Sequence, residues 1–254
     1  MSSRTTGVMA VVAAVALCAP DGARAQDPPT VRTVSGKAYE GEHLGPVDSS
    51  APLYTLSVTT ERGPGVDRVQ VVDFDRSGRS FFAQSIDFDG ASPKAYAFSN
   101  SVAQQAGKLT VTPTELVMEL TEGGKTKVSR EARPELFAVG PSVTRLVEQH
   151  VADLSAGRAV SFRMVVVNRL ATYGFRAVRE SLNSDEPLPQ VKAGQWMRVR
   201  IEPDSGIARM FAPKIVSIVD AKTGQTLAVN GPMPAPAADG GMIKDGTIRY
   251  ESFR

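Results

Sequence analysis

Cysteine is nearly missing from this chain. Its 254 residues contain one, Cys18, which sits in an apolar N-terminal run ahead of a cleavage signal. A mature chain without cysteine forms no disulfide, no thiolate nucleophile and no Cys-ligated metal site. Histidine is scarce too. His43 stands in a Gly-rich stretch beside Glu40 and Glu42, and His150 stands within a helical pattern. A zinc site would need both brought to a carboxylate, and their spacing gives no such set. No G-x-S-x-G marks a nucleophilic serine. No P-loop and no G-x-G-x-x-G supports nucleotide binding. A net charge of +2 is too small for a dedicated nucleic-acid protein. Beyond the first residues no apolar run is long enough to cross a membrane as a helix. The expectation is a non-enzyme with no catalytic residues, metal or cofactor.

The N-terminus has the form of a secretory signal. Arg4 gives a positive start, Val8–Cys18 is a short apolar run, and Ala23-Arg24-Ala25 fits an A-x-A cleavage site. Residues 1–25 are read as a signal peptide cut between Ala25 and Gln26, which predicts a periplasmic or secreted protein. Leu17 precedes Cys18 where a lipoprotein signal carries a small residue, so Cys18 is read as part of the leader. About 229 residues remain, enough for one large domain. Hydrophobic content is 42%, enough for a core.

The remaining chain is patterned for strands. Residues 26–52 are weakly patterned, with one strand expected near Val31–Tyr39. Leu53–Thr60 alternates with period two. Asp67–Phe74 and Arg79–Phe88 flank the turn Asp75-Arg76-Ser77-Gly78 and read as a hairpin. Further strands are expected at Lys94–Phe98, Leu116–Thr121, Thr126–Arg130, Ala159–Val167, Ala171–Arg179, Gln195–Glu202, Lys214–Asp220, Thr226–Val229 and Thr247–Phe253. In Gln195–Glu202, Met197, Val199 and Ile201 alternate with Arg198, Arg200 and Glu202, giving one buried and one wet face. Gly231–Gly246, with three prolines, reads as a long mobile loop.

One stretch breaks the β pattern. In Pro141–Gly157, Val143, Leu146, Val147, Val151 and Leu154 share a face of a 3.6-residue period. Pro141 suits a first turn and Gly157 a C-terminal cap. The expected fold is mainly β: a curled antiparallel sheet or part-open barrel of about ten strands, formed by residues 53–254 as a single domain. One central amphipathic helix (141–157) lies across the sheet or plugs its mouth.

Charge divides unevenly. Residues 26–157 hold 13 Lys/Arg against 17 Asp/Glu, and residues 158–254 hold 14 against 9. Arg158, Arg163, Arg169, Arg176 and Arg179 occur with no acid between them. A solvated, internally paired face accounts for such a run. Contact with anionic lipid or an acidic envelope partner is the alternative. Asp73-x-Asp75-x-Ser77-Gly78 copies the opening of a calcium loop, but the twelfth position is Gln84 and a hairpin turn explains the same residues. Asp87 and Asp89 lie i,i+2 on one strand beside Gly90, where turn chemistry accounts for them.

The run VVDFDRSGRSFFAQSIDF, then SPKAYAF, the lone helix, paired strands and a closing IRYESF resembles a group of uncharacterised bacterial secreted proteins. These are similar in turn to lipoprotein-carrier-like curled-sheet families. The resemblance spans roughly residues 53–253 in outline. It implies a curled sheet with an apolar interior and supplies no catalytic residues. An open curled sheet can hold a lipid or other apolar ligand, with Phe162, Met164, Met197, Val199 and Ile201 as the candidate lining. An envelope scaffold using the basic second half is the alternative function, and a hydrolase of unrecognised type the third.

Overall fold

The computed structural model describes residues 28–41, 51–180, 195–205, 215–234, 243 and 245–251. Residues 1–27 with Cys18 and the Ala25–Gln26 junction, His43 and most of Gly231–Gly246 lie outside the described residues.

Among the described residues, fifteen strands form one sheet. The first half of the chain supplies β1 (Thr30–Glu40), β2 (Tyr54–Gly63), β3 (Val66–Phe74), β4 (Ser80–Asp89), β5 (Ser92–Asn100), β6 (Gln105–Val111), β7 (Glu115–Glu122) and β8 (Lys125–Ala132). After β9 (Phe137–Val139) come two helices, α1 (Ser142–Gln149) and α2 (Val151–Ser155). Then follow β10 (Val160–Val166), β11 (Ala171–Glu180), β12 (Trp196–Pro203), β13 (Ile215–Asp220), β14 (Thr226–Gly231) and β15 (Gly246–Tyr250). The spatial order runs from β8 down to β1, crosses to β15, and continues down to β9. The β1–β15 ladder, Gly36 opposite Tyr250 to Glu40 opposite Gly246, joins the two halves.

The mainly β, curled, unclosed sheet agrees with the sequence expectation, but more than ten strands form. β6 and β9 were not expected. β6 is QAGKLTV, whose Ala, Gly and Lys are weak strand formers, and tertiary packing supplies what propensity lacks. A Cβ on Gly107 would come 2.2 Å from the Phe98 ring and 2.9 Å from Val167, so only glycine fits between them. β9 is three residues long and pairs in parallel with β10, the two helices forming the crossover.

The sheet's terminal strands share no ladder, and side chains close the gap between them. Glu131 of β8 accepts hydrogen bonds from the Thr172 backbone N–H (3.1 Å) and hydroxyl (2.6 Å) on β11. The 3-10 turn Val167–Arg169 packs onto β6 and β7, and β9 onto β5. The β9 edge and the Glu131 end of β8 are thus covered, while residues 125–128 of β8 stay exposed.

The single helix expected over 141–157 is corrected to two. The backbone leaves helical geometry at His150 (φ −105°, ψ 17°), where Nδ1 lies 3.3 Å from Asp153 Oδ2. With the turn there, Leu146, Val147 and Leu154 all reach one cluster with Phe162, Met164, Met197, Val199 and Ile201. The C-terminal end forms as expected. Gly157 has φ 76°, its N–H donates to Leu154 O and the Arg158 N–H to Asp153 O, a Schellman closure.

The wet face expected on β12 is also corrected. Arg200 is bonded to Glu180 (2.8 Å) and lies 3.1 Å from Glu202, Arg198 is bonded to Glu180 (2.7 Å), and Arg176 to Glu202 (2.6 Å). Glu202 is only 8% exposed. Register places Arg176 opposite Glu202 and Glu180 opposite Arg198, so the face is a lattice of cross-strand charge pairs.

Leu146 is 4% exposed within the cluster beneath the helices. Leu146→Asp buries an unpaired carboxylate there and should cost about 3 kcal/mol or more. Urea unfolding followed by circular dichroism measures this. A variant with the wild-type midpoint would mean that the helix is not part of the core.

Candidate functional site

The concave side of the curled sheet encloses a cavity of about 1730 Å³. Its wall is mostly apolar: Val34 of β1, Leu56 and Val58 of β2, Val71 of β3, Phe82 of β4 and Ile248 of β15 are typical. These residues face inward because strand side chains alternate with period two and one register is shared across the ladders.

Helix α1 covers one end. Leu146 and Val147 anchor it in the core, while Val143, Thr144, Arg145 and Glu148 border the cavity. Arg145 latches it to the opposite wall. Its guanidinium holds Asp67 of β3 through two bonds, 3.0 and 2.6 Å, donates to Gly90 O at 2.8 Å, and lies 4.1 Å from the Phe88 ring centre. Burial pushes the Glu148 carboxyl up, against the opposing pull of Arg62 and Arg145.

At the other end of β3 the wall carries a buried carboxylate. Six residues along from Asp67, about 20 Å at roughly 3.3 Å per residue, Asp73 points into the cavity and is 3% exposed. It belongs to a continuous row across six strands. Tyr250 lies opposite Gly36, Gly36 opposite Leu56, Leu56 opposite Asp73, Asp73 opposite Phe82, and Phe82 opposite Asn100. Gly36 is required by the row, since a Cβ there would come 2.9 Å from the Leu56 side chain. Asp73 Oδ1 and the Tyr54 hydroxyl have no hydrogen-bond partner among the described residues. Burial pushes the Asp73 carboxyl up to about 7. Burial together with the Asp73 charge raises both the Tyr54 and Tyr250 hydroxyls, the latter to about 12. Asn100 belongs to the row, but its Oδ1 accepts the Val102 and Ala103 N–H groups.

The five lining candidates separate. Met164 lies on the cavity wall. Phe162, Met197, Val199 and Ile201 sit with it in the cluster beneath α1 and α2, and are not among the wall residues. Both halves of the chain supply the wall, and in the first half the inward alternation of β2, β3 and β4 was the available signal. The calcium-like motif divides. Asp73 faces the cavity, whereas Asp75 Oδ1 accepts the Ser77 N–H, Ser77 hydroxyl and Arg79 N–H in the hairpin turn. These bonds, led by the Ser77 hydroxyl, hold Asp75 below its ordinary value. Asp87 is held by Arg68 at 2.5 and 3.2 Å. In the basic run, Arg158 bonds Asp153, Arg163 bonds Thr172, Arg176 bonds Glu202 and Arg179 bonds Ser155 O. The long loop's described base is seated in the core: Met233 N–H donates to Ile243 O, and both side chains are buried.

No protein-family model matches the chain, and no curated protein is similar to it. Among solved structures it is similar to a beta-barrel-like protein of the domain of unknown function DUF1849 from Brucella abortus. Identity is 10%, the match covers 87% of this chain and 97% of that one, and the TM-score is 0.40.

Asp73 makes stability depend on pH. Its folded-state value, about 7, lies above that of an unfolded aspartate. The unfolded chain therefore releases this proton first as pH rises. The penalty is absent below about pH 4, grows between 4 and 7, and is complete above 7. Asp73→Asn removes it, so thermal melts of variant and wild type should diverge in the variant's favour as pH rises from 4 to 8, by up to about 4 kcal/mol. Parallel profiles would show that Asp73 is not buried as described.

Proposed function

We propose that this protein is a non-catalytic binding protein, exported to the periplasm or outside the cell, that holds an elongated, mainly apolar molecule of lipid type inside its curled sheet. The carrying observation is the cavity. Its volume, about 1730 Å³, exceeds the roughly 300–1,000 Å³ of ordinary small-molecule pockets. Aliphatic and aromatic side chains dominate its wall, and α1 covers one end. The two acids that border it stand apart. Asp73 is at one end of β3, while Glu148 is on the helix latched to the other. Paired carboxylates for acid–base work are therefore not assembled among these residues. The resemblance in outline to lipoprotein-carrier-like curled sheets points the same way. The scaffold alternative is weaker, since Arg158, Arg163, Arg176 and Arg179 are bonded within the fold.

A hydrocarbon probe tests the proposal. Diphenylhexatriene should fluoresce on entering the cavity and be displaced by n-alkyl alcohols. Each added methylene should raise alcohol affinity roughly two- to fourfold. Val34→Trp and Val58→Trp, made separately, place an indole in the lumen and should cut saturating fluorescence several-fold while keeping the β circular dichroism spectrum. Unaltered binding in both folded variants would place the probe elsewhere and contradict the proposal.

A further inference from the structure

We infer that Asp73 anchors the polar end of the bound molecule and that this end is a protonated amine, so that the cavity takes a cationic amphiphile. This rests on the binding reading above and adds the chemistry of the ligand's head.

Four observations carry it. Asp73 is 97% buried yet turned into an open cavity, and its Oδ1 has no partner among the described residues. A buried carboxylate is costly to ionise unless it is paired, and no arginine or lysine among the described residues offsets its burial. The cations bordering the cavity at α1 belong elsewhere: Arg145 is held by Asp67, and Arg62 lies 3.8 Å from the same carboxylate. That end of β3 is about 20 Å from Asp73. Finally, the Tyr54 hydroxyl is also without a partner and lies within electrostatic reach of Asp73. An ammonium group brings a positive charge and three N–H donors. One donor meets the Asp73 carboxylate, while Leu56, Phe82 and Val71 enclose the first carbons of the chain. A carboxylate or phosphate head placed there would meet like charge and a site without donors other than hydroxyls.

Neutral and charged heads on one chain separate this from simple apolar binding. Displacement of diphenylhexatriene by n-dodecylamine and by n-dodecanol is measured at pH 8 on the mature protein, on Asp73→Asn and on Asp73→Leu. The amine is protonated at that pH. Wild type should bind dodecylamine at least tenfold more tightly than dodecanol. Both variants should lose that preference and bind dodecanol as wild type does. Equal affinity of the two heads in wild type, or a preference that survives in both variants, overturns the anchor while leaving the cavity reading intact. Failure of wild type to bind the hydrocarbon probe at all removes the cavity reading and the anchor with it.

Discussion

One ion pair ties the helix that borders the cavity to the opposite wall. Arg145 leaves α1 and takes Asp67 on the far wall through both guanidinium nitrogens, with both side chains about four-fifths buried. A half-buried bidentate pair of this kind is stronger and better oriented than a surface pair. Its position matters more than its strength. Leu146 and Val147 hold α1 to the strands of the second half, and Arg145 ties it to β3 and to the β4–β5 turn at Gly90. The helix therefore spans the mouth of the curl. Without the latch, the same strands would enclose a groove open to water at that end.

The sheet achieves enclosure without closing its ladder. Its two ends meet through Glu131 of β8 on Thr172 of β11, through Val167 against Gly107 of β6, and through the packing of β9 on β5. A curled sheet sealed by side chains can accommodate a larger lumen than a small closed barrel, whose interior its own side chains fill. The lumen contains one feature that folding alone does not favour. Asp73 lies buried and unpartnered on an otherwise apolar row. A local violation of this kind, in a fold where the buried Glu202 is paired with Arg176, is where a binding role is expected.

Much of the architecture was legible in the sequence. Where alternation ended at a Gly or Asp turn, as in β3–β4 and β7–β8, the hairpins form as read, with Gly78, Gly123 and Gly124 at positive φ. β6 and β9 were not legible, because Gly107 fits by tertiary contact with Phe98 and β9 is a three-residue parallel strand. The helix was recognised from its apolar stripe, but its break at His150 leaves no mark on that stripe. Arg145 lies off the apolar stripe, and periodicity cannot register a partner 78 residues away. For the cavity, the apolar side of the β10 and β12 strands was visible, yet that face also packs against the helices, and of the five candidates only Met164 borders the lumen. Asp73 was masked by its neighbours. It precedes a turn in which Asp75 does the conventional capping, and local sequence does not distinguish an aspartate aimed inward from one closing a hairpin.

Native mass spectrometry of the protein isolated without detergent from the cells that make it, with organic extraction of the same sample, tests the central claim most directly. A discrete mass increment of one bound molecule is expected, with an extract containing an amphiphile with a long apolar chain. A protein that flies only at its bare mass, with an extract matching the blank, would contradict the claim that the curled sheet exists to hold a ligand.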